Sequence, residues 1–350
     1  ARYASVFVLG AITLAMQDTF MKWSQSPYWS ATAVPYLSMQ FLSTSELVII
    51  SRAVGTDFCS GHSPIAPVIK LFRIPLMVWN LRRIGTKWQI RNILPYSVPR
   101  SRIAYAFRTL VQMVFVYLLL DTVLCAPPVD PVFYSVPKQT LGLDILKLSR
   151  QDFTFRVAST VSFYATTYCV VTFQYDLLSL LFVLTGLSSP DVWPPFFGSP
   201  YEGYSLRRFW SVYWHQALRK KLTGHADLIS DNILAIPRRT KLSAYTRLWL
   251  TFLISGIYHV SSDLGMGIPF SDAGSFTAFL LQPVGIVLED LCQGTFGKVI
   301  LLPRVVKRAL GLIWVWAFLS YSNPVWFYAQ LRLAGSPDEM LPVRVVPKLI

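Results

Sequence analysis

The chain has 350 residues, of which 53% are hydrophobic and only 14% charged, and its mean hydropathy is +0.44. Soluble domains carry about a quarter charged residues, so this composition excludes an ordinary soluble domain and predicts an integral membrane protein. The net charge of +14 would suit a nucleic-acid binder. The highly apolar composition indicates instead that the basic residues lie in the loops of a membrane protein. We therefore expect a lipid bilayer, and no nucleic acid, as a partner.

Apolar segments long enough to cross a bilayer recur along the chain. A membrane-crossing helix needs about 20 mostly apolar residues. Two weaker candidates come first, at 4–17 and 31–50, and the second contains Pro35 and Glu46. Residues 155–187 suffice for one tilted helix or two broken ones. The clear candidates are 103–125, 241–262, 273–292 and 309–331. The sequence thus predicts an all-α, multi-pass membrane protein with about six to eight transmembrane helices.

The beginning of the chain has few distinguishing features. Its opening apolar stretch follows a single basic residue and resembles a shortened spanning helix more than a cleaved signal peptide. Residues 188–200 are a Pro- and Gly-rich loop rather than a domain linker. We expect N-terminal membrane segments over 1–80 that form one domain with the remainder of the chain.

Lysine and arginine are concentrated in three connections, at 70–102, 207–241 and 304–308. The positive-inside rule places all three on the cytosolic face of the membrane. The helix that contains His259 then runs away from the cytosol, so we expect this histidine deep in the membrane or near the far side.

The sequence contains no motif typical of a metal site or of a serine nucleophile. The cysteines are widely spaced and include no CxxC pair, so neither a zinc site nor a dense disulfide framework is predicted. The histidines show no HxxH or HExxH spacing, and no GxSxG motif occurs. We interpret the cysteines as free, buried thiols: Cys59, Cys125, Cys169 and Cys292.

A polar stripe marks the helix predicted over 241–262. Ser255, His259 and either Ser262 or Asp263 fall on one face, because residues three and four apart are neighbours on a helix. An ionisable residue inside a membrane segment is costly and is first treated as functional. A structural histidine that hydrogen-bonds a neighbouring helix is the alternative. Asp263 is suited to orient the imidazole, or it is a solvated carboxylate at the helix end.

The segment 205–222 is rich in aromatic and basic residues. If it is helical, Arg208, Ser211, His215 and Arg219 lie along one side, and aromatic rings cover most of the rest. Such a helix should lie in the membrane interface. An aromatic and basic anchor at the cytosolic headgroups explains the tryptophans and arginines equally well.

His215 is harder to explain as an anchor because it lies among possible anion-binding groups. We expect the other two histidines, His62 and His225, to be bystanders in polar loops. The sequence thus offers a candidate base in an apolar interior, a second imidazole and a basic rim. The basic rim suits a polyanionic donor, and the apolar interior suits an apolar acceptor.

Four stretches of this sequence resemble the membrane-bound O-acyltransferases, particularly the wax synthase-like branch found among fungal biosynthetic acetyltransferases. The combination of a WPPxFG and FWxxxWHQ pair with a later SGxxH helix is specific to this branch. The stretches are RRIGTKWQIRN (82–92), DVWPPFFGSPYEGYSLRRFWSVYWHQ (191–216), FLISGIYH (252–259) and FLLQPVGIVLED (279–290).

The resemblance implies a multi-helix fold around a reaction chamber, formed mainly by residues 81–350, whereas residues 1–80 match poorly. It implies that coenzyme A enters from the cytosol and a hydroxyl acceptor from the bilayer or the far side. The family's intramembrane histidine maps onto His259, and its second polar position maps onto His215. No bound cofactor is implied, only acyl-CoA as a cosubstrate, and the endoplasmic reticulum membrane is the expected location.

These elements lead to a specific hypothesis. His259 removes the acceptor proton as the hydroxyl attacks the thioester, and His215 donates a hydrogen bond to the developing oxyanion. We expect Asp263 to support the catalytic histidine. The predicted substrate contacts are Arg208, Arg219 and Lys220, with Lys221, for the phosphates of coenzyme A, and Trp210, Trp214 and Ser255 within the chamber.

The expected reaction is transfer of an acyl group, which we expect to be acetyl, to a hydroxyl of a hydrophobic secondary metabolite such as a terpenoid. Two alternatives stay open. The first is a wax-ester synthase that uses a long-chain acyl-CoA and a fatty alcohol. The second is a multi-pass transporter or receptor in which His259 senses protons or is structural; repeated halves would be expected for a transporter, and none is visible.

Overall fold

The computed structural model describes residues 2–54 except 25, 78–126 except 94 and 100, 129–141 except 140, 146–296, 302–333 and 339–346. Within these ranges all of the regular secondary structure is helical, and there is no β-strand. The main helices are α1 (Arg2–Trp23), α2 (Pro27–Ser45), α3 (Arg102–Leu124), α4 (Arg150–Leu184), α5 (Arg219–Leu228), α6 (Lys241–Gly265), α7 (Ser275–Phe296), α8 (Arg304–Ser322) and α9 (Pro324–Leu333).

The all-α, multi-pass architecture is confirmed. In the described part of the chain, five helical segments are long and apolar enough to cross a membrane. A total of six to eight spans stays a prediction. The five segments are Arg2–Trp23, Pro27–Ile50, Arg102–Leu124, Arg150–Leu184 and Phe270–Thr295.

Two of the predicted segments differ in detail. Residues 155–187 form most of α4, a single helix of 35 residues that begins with a Ser149–Asp152 capping box. The prediction of one helix over 309–331 is wrong, because α8 ends before Asn323 and α9 begins at Pro324. Proline lacks an N–H and suits the first turn of a new helix, so the chain turns at this point.

An aromatic core lies between α2, α4, α6, α7, α8 and the connection that precedes α5. Many large side chains outside this core, such as Phe7 on α1 and Ile103 on α3, are exposed and apolar, as lipid contact requires. The helices approach closely where small residues meet. A Cβ atom at Gly265 on α6 would lie 2.6 Å from the carbonyl oxygen of Ser30 on α2, so glycine allows this contact.

A buried ion pair connects the N-terminal helices to the rest of the protein. Glu46, which weakens the prediction of a span over 31–50, is fully buried and lies 2.9 Å from the Arg83 guanidinium, which is also fully buried. Lys220 approaches the same carboxylate at 3.7 Å. Breaking a buried pair leaves an uncompensated charge, so this contact strongly favours one arrangement of these segments.

The cysteines are only partly as predicted. Cys125 and Cys169 are buried thiols, but the expectation of burial is wrong for Cys292, which is exposed on α7 because its side chain points outward from the helix. Cys59 lies outside the described residues.

The Glu46–Arg83 pair gives a stability prediction. We expect Glu46→Ala to lower the free energy of unfolding by about 3–5 kcal/mol, because the Arg83 charge stays buried without its partner. Thermal unfolding of the detergent-solubilised protein measures the change. Asp18→Ala is the matched control, since it removes an exposed carboxylate from the Lys22–Asp18 pair, and exposed pairs contribute little. Equal melting temperatures for the two variants would contradict the prediction.

Candidate active site

The imidazole of His259 is held in one tautomer by its own helix. Its Nδ1 atom lies 2.7 Å from the carbonyl oxygen of Ser255, one turn earlier in α6. A carbonyl oxygen only accepts hydrogen bonds, so Nδ1 must carry the proton and donate it. The lone pair is then on Nε2, to which no described residue hydrogen-bonds. The geometry therefore prepares Nε2 to accept a proton.

Aromatic rings from two other helices enclose this imidazole. Phe279 of α7 stacks on it, with ring centroids 3.9 Å apart and an interplanar angle of 17°. Trp326 of α9 meets it edge-on at 5.3 Å, and the Trp326 and Phe279 centroids are 5.4 Å apart. The imidazole is thus held between aromatic side chains of α7 and α9. Sequence reasoning quoted the segment that contains Phe279 without giving that ring a role, and it missed Trp326 entirely.

Asp263 forms no hydrogen bond with the His259 imidazole in this structure. Helix α6 continues to Gly265, so Asp263 is neither exposed nor at a frayed helix end: its exposed fraction is 0%. The expectation of a solvated carboxylate is therefore wrong. Its oxygens instead accept hydrogen bonds from the Trp326 indole at 2.8 Å, the Gln330 amide at 3.0 Å and the Ser275 backbone N–H at 3.2 Å.

Residues 205–222 are not one helix, which corrects the prediction that they form an interfacial amphipathic helix. A short helical turn, Leu206–Arg208, passes into a π-turn, Phe209–Tyr213, and the backbone becomes extended at Trp214 before α5 begins. The π-turn is fixed by the WPPFFG loop, because the Gly198 N–H donates to the Tyr213 carbonyl at 2.8 Å. The segment therefore enters the protein core instead of lying along the headgroups.

Because residues 205–222 do not form a continuous helix, His215 lies inside the protein. Its ring packs against Phe196 and Phe197, with centroid separations of 5.8 and 5.6 Å. Burial lowers the pKa of His215 to about 4, so the imidazole is neutral at neutral pH. Its Nδ1 atom is buried and has no hydrogen-bond partner among the described residues. His215 and His259 lie within electrostatic reach of each other, so the fold brings the two predicted histidines together.

The predicted aromatic contacts lie in the core between these histidines. Trp214 is buried and stacks on Phe209 at 5.6 Å, which contradicts a headgroup anchor for this ring. Trp210 lies 5.7 Å from Phe279 and donates its indole N–H to Gln282 at 3.1 Å. The two rings thus form the wall of the site, and a direct contact with substrate stays a prediction. The hydroxyl of Ser255 is buried, 3.5 Å from Nδ1 of His259.

Most of the predicted phosphate ligands have protein partners. Arg208 pairs with the Glu202 carboxylate, and Lys220 lies beside Glu46. Lys221 is fully buried, and its ammonium donates to the carbonyls of Leu81 at 2.9 Å and Ala217 at 2.6 Å. These three cations therefore serve the fold in this structure.

Arg219 remains beside an opening. Its guanidinium donates to the Ser211 carbonyl at 2.7 Å, and burial, with the nearby charge of Arg91, lowers its pKa. Next to it lies a cavity of about 250 Å³ whose inner wall includes the Phe196 and Phe197 rings that pack on His215. Other lining residues are Arg82, Asn92, Tyr96, Gly198, Val212 and Gln216.

The other two histidines and one buried acidic residue lie outside the enclosure of His259 in the described structure or outside the described residues. His225 is not in a loop: it lies on α5 and contacts the hydroxyl of Ser45 at 3.0 Å. His62 lies outside the described residues. Sequence reasoning also missed Glu289, a buried residue of α7 that accepts from the backbone N–H of Leu206 at 2.6 Å. This bond, with the Trp210–Gln282 contact, attaches the π-turn to α7.

Apolar helices long enough to cross a membrane, together with a histidine whose Nε2 is available to accept a proton, are features of a membrane-embedded enzyme. Residues 193–281 match the family model described as "Membrane bound O-acyl transferase family". This range includes the His215 segment, all of α6 with His259, and Phe279.

Curated relatives extend the match over most of the chain. Acetyltransferase ataH of Aspergillus terreus is 34% identical over 278 residues, which cover 76% of this chain and 91% of the relative. Acetyltransferase nanB of Aspergillus nanangensis is 30% identical over 83% of this chain and 74% of its own length. The chain therefore belongs to the membrane-bound O-acyl transferase family, which confirms the predicted family and enzyme class.

A third relative shows how far the match reaches. Acetyltransferase spyB of Aspergillus fumigatus is 30% identical over 306 residues, or 80% of this chain. The alignment spans about half of that relative, 51% of its length. The family is thus shown, and the donor and acceptor of this chain are matters for proposal.

The contact between the WPPFFG loop and the π-turn can be tested with two glycines. A Cβ atom at Gly198 would collide with the carbonyl oxygen of Val212, whereas one at Gly294 meets nothing within 4 Å. We expect Gly198→Ala to displace the loop, since overpacking costs about 1–3 kcal/mol or more, and to reduce acyl transfer severely. Gly294→Ala is the matched control. Equal activity of both variants at equal folded yield, measured by size-exclusion chromatography, would contradict this account.

Proposed function

We propose that this protein transfers an acyl group, most often acetyl, from acyl-CoA to a hydroxyl of a hydrophobic secondary metabolite such as a terpenoid. The observation that carries the proposal is the fixed tautomer of His259, which leaves Nε2 as a proton acceptor inside an aromatic enclosure. The relatives named acetyltransferases support the choice of acetyl. A membrane of the endoplasmic reticulum is the proposed location.

The proposed reaction begins at Nε2 of His259. This nitrogen removes the proton of the acceptor hydroxyl while the oxygen attacks the thioester carbonyl carbon, forming a carbon–oxygen bond. The tetrahedral intermediate then collapses, the carbon–sulfur bond breaks, and the imidazolium returns the proton to the departing sulfur. The ester and the free thiol of coenzyme A are the products. Nδ1 keeps its hydrogen bond to the Ser255 carbonyl throughout, so the ring need not turn.

His215 is positioned to stabilise the charge that develops on the thioester oxygen. Its Nδ1 atom is buried without a partner in the described part of the chain, and an unpaired buried polar atom costs free energy unless a ligand contacts it. When Nδ1 carries the proton, it donates to the oxyanion. Such hydrogen bonds are worth most where water is excluded, and the surrounding rings of Phe196, Phe197 and Trp214 exclude it.

The cavity beside His215 supports entry of the donor from the cytosolic side. It opens where Asn92, Ile93, Pro95 and Tyr96 meet residues 195–199, within a basic connection that the positive-inside rule places in the cytosol. Arg91 and Arg219 carry neighbouring positive charges there. A pair of guanidinium groups suits the phosphates of coenzyme A, which remain in water while the acyl end passes toward the histidines.

The role of His259 is tested by release of free thiol from acetyl-CoA in microsomes, with a panel of hydrophobic alcohols. We expect His259→Ala to lower the acceptor-dependent rate by about 10²- to 10⁴-fold, the usual contribution of a general base. His225→Gln at matched protein level is the control and should stay close to wild type.

The outcomes of this assay separate the alternatives. Full activity of His259→Ala would make His259 structural and would end the proposed mechanism. Preference for palmitoyl-CoA over acetyl-CoA in competition would favour wax-ester synthesis. Absence of transfer from every acyl-CoA tested, with folded protein, would favour a transporter or receptor.

The donor entrance leads to a separate prediction. We expect the double variant Arg91→Gln, Arg219→Gln to raise the apparent KM for acetyl-CoA about tenfold or more, because each charge-assisted bond to phosphate is worth about 1.5–3 kcal/mol, and to leave the KM for the alcohol nearly unchanged. Steady-state kinetics at varied acetyl-CoA provides the measurement. Arg238→Gln is the control, since Arg238 is exposed and pairs with Asp231. An unchanged acetyl-CoA KM in the double variant would refute this entrance.

A further inference from the structure

Asp263 and Trp326 form a contact that the proposed reaction does not yet use. The carboxylate is fully buried on α6, one turn beyond His259, and the indole N–H of Trp326 donates to it at 2.8 Å. Two further N–H groups, from Gln330 and Ser275, complete its hydrogen bonds. Three donors from α7 and α9 thus converge on one carboxylate, which fixes the position of both helices relative to the histidine.

We propose that Trp326 is the wall against which the acceptor alcohol binds, and that Asp263 is a positioning residue that acts on His259 only through this ring. The inference rests on the proposed function and names the side of the site at which the acceptor binds. It also replaces the predicted direct role of Asp263 with an indirect one.

The position of Trp326 along the membrane supports this assignment. Helix α6 begins at Lys241, in a basic connection assigned to the cytosol, and reaches His259 and then Asp263 only in its last two turns. The cavity proposed for the donor opens instead within a basic connection assigned to the cytosol. Trp326 hydrogen-bonds Asp263 at the far end of α6, and its ring is only partly buried, which leaves surface for an apolar ligand.

The hydrogen bond from Trp326 to Asp263 fixes the orientation of the indole ring. Without it, only the contacts of the indole with Phe163, Phe279 and His259 would set its orientation, and the edge that meets the imidazole at 5.3 Å would be held less firmly. A misplaced wall changes the distance between the acceptor hydroxyl and Nε2, and errors of about 1 Å cost on the order of 10²-fold in rate. A direct role is not needed, since Nδ1 of His259 is already bonded to the Ser255 carbonyl.

The test is a double-mutant cycle with Trp326→Phe and Asp263→Asn, measured as KM for the alcohol, KM for acetyl-CoA and kcat. Phenylalanine keeps an aromatic ring without the N–H, and asparagine keeps a carbonyl oxygen without the charge. Each single variant should raise the alcohol KM about tenfold, the effect of one charge-assisted hydrogen bond, with the acetyl-CoA KM unchanged. The double variant should be no worse than either single variant, because both remove the same contact.

Trp314→Phe is the matched control. It removes an indole bond to another buried carboxylate, Glu289, at 2.9 Å, outside the His259 enclosure, and should leave the alcohol KM unchanged. If the increases in alcohol KM of the two single variants multiply in the double variant, Asp263 acts on the imidazole directly. If the alcohol KM is unchanged in Trp326→Phe, the acceptor does not bind against this ring. Either result overturns this inference.

A second measurement keeps the inference separate from the proposed function. The same four proteins are compared by thermal unfolding in detergent, where the Asp263–Trp326 bond should appear as a coupling between the two substitutions whether or not turnover occurs. Additive shifts in melting temperature would overturn the inference by themselves. Loss of activity in His259→Ala together with an additive cycle would refute the positioning role and leave the proposed function intact.

Discussion

Inside an apolar medium every unpaired polar group costs free energy, and this constraint organises the whole structure. Three buried carboxylates show its effect: Glu46 pairs with Arg83, and Asp263 and Glu289 each accept from several N–H groups. These bonds join segments that are far apart in the sequence. Nδ1 of His215 is one of the buried polar atoms without a partner in the described part of the chain, and Nε2 of His259 has no hydrogen bond to a described residue. Both nitrogens lie in the proposed site.

The second organising feature is the irregular segment between α4 and α5. A continuous helix would have placed its aromatic and basic residues at the membrane surface. The π-turn and the extended residue Trp214 instead turn the chain into the core, where Gly198 and Glu289 hold it by backbone hydrogen bonds. Irregular backbone at this depth is tolerated because these bonds satisfy the groups that a helix would have paired.

The same geometry links stability to the proposed chemistry. The bond from His259 Nδ1 to the Ser255 carbonyl belongs to the helix, yet it also decides which nitrogen accepts a proton. Likewise, the hydrogen bond between Asp263 and Trp326 connects α9 to α6. In our proposal it also holds the Trp326 ring against which the acceptor alcohol binds. In both cases one hydrogen bond satisfies a buried polar group and prepares a reacting one, so substitutions there are expected to change folding and kinetics together.

The sequence alone determined the all-α membrane architecture, because the length and apolarity of a spanning segment are local properties. It also identified the motifs that contain His215 and His259, whose residue types and spacing are visible in the linear chain. The tertiary structure decided the rest. Whether Glu46 and Lys220 are solvated or paired, whether 205–222 is helical, and whether Asp263 touches the imidazole or Trp326 all depend on partners in other segments of the chain, and such contacts leave no periodic signal in the sequence.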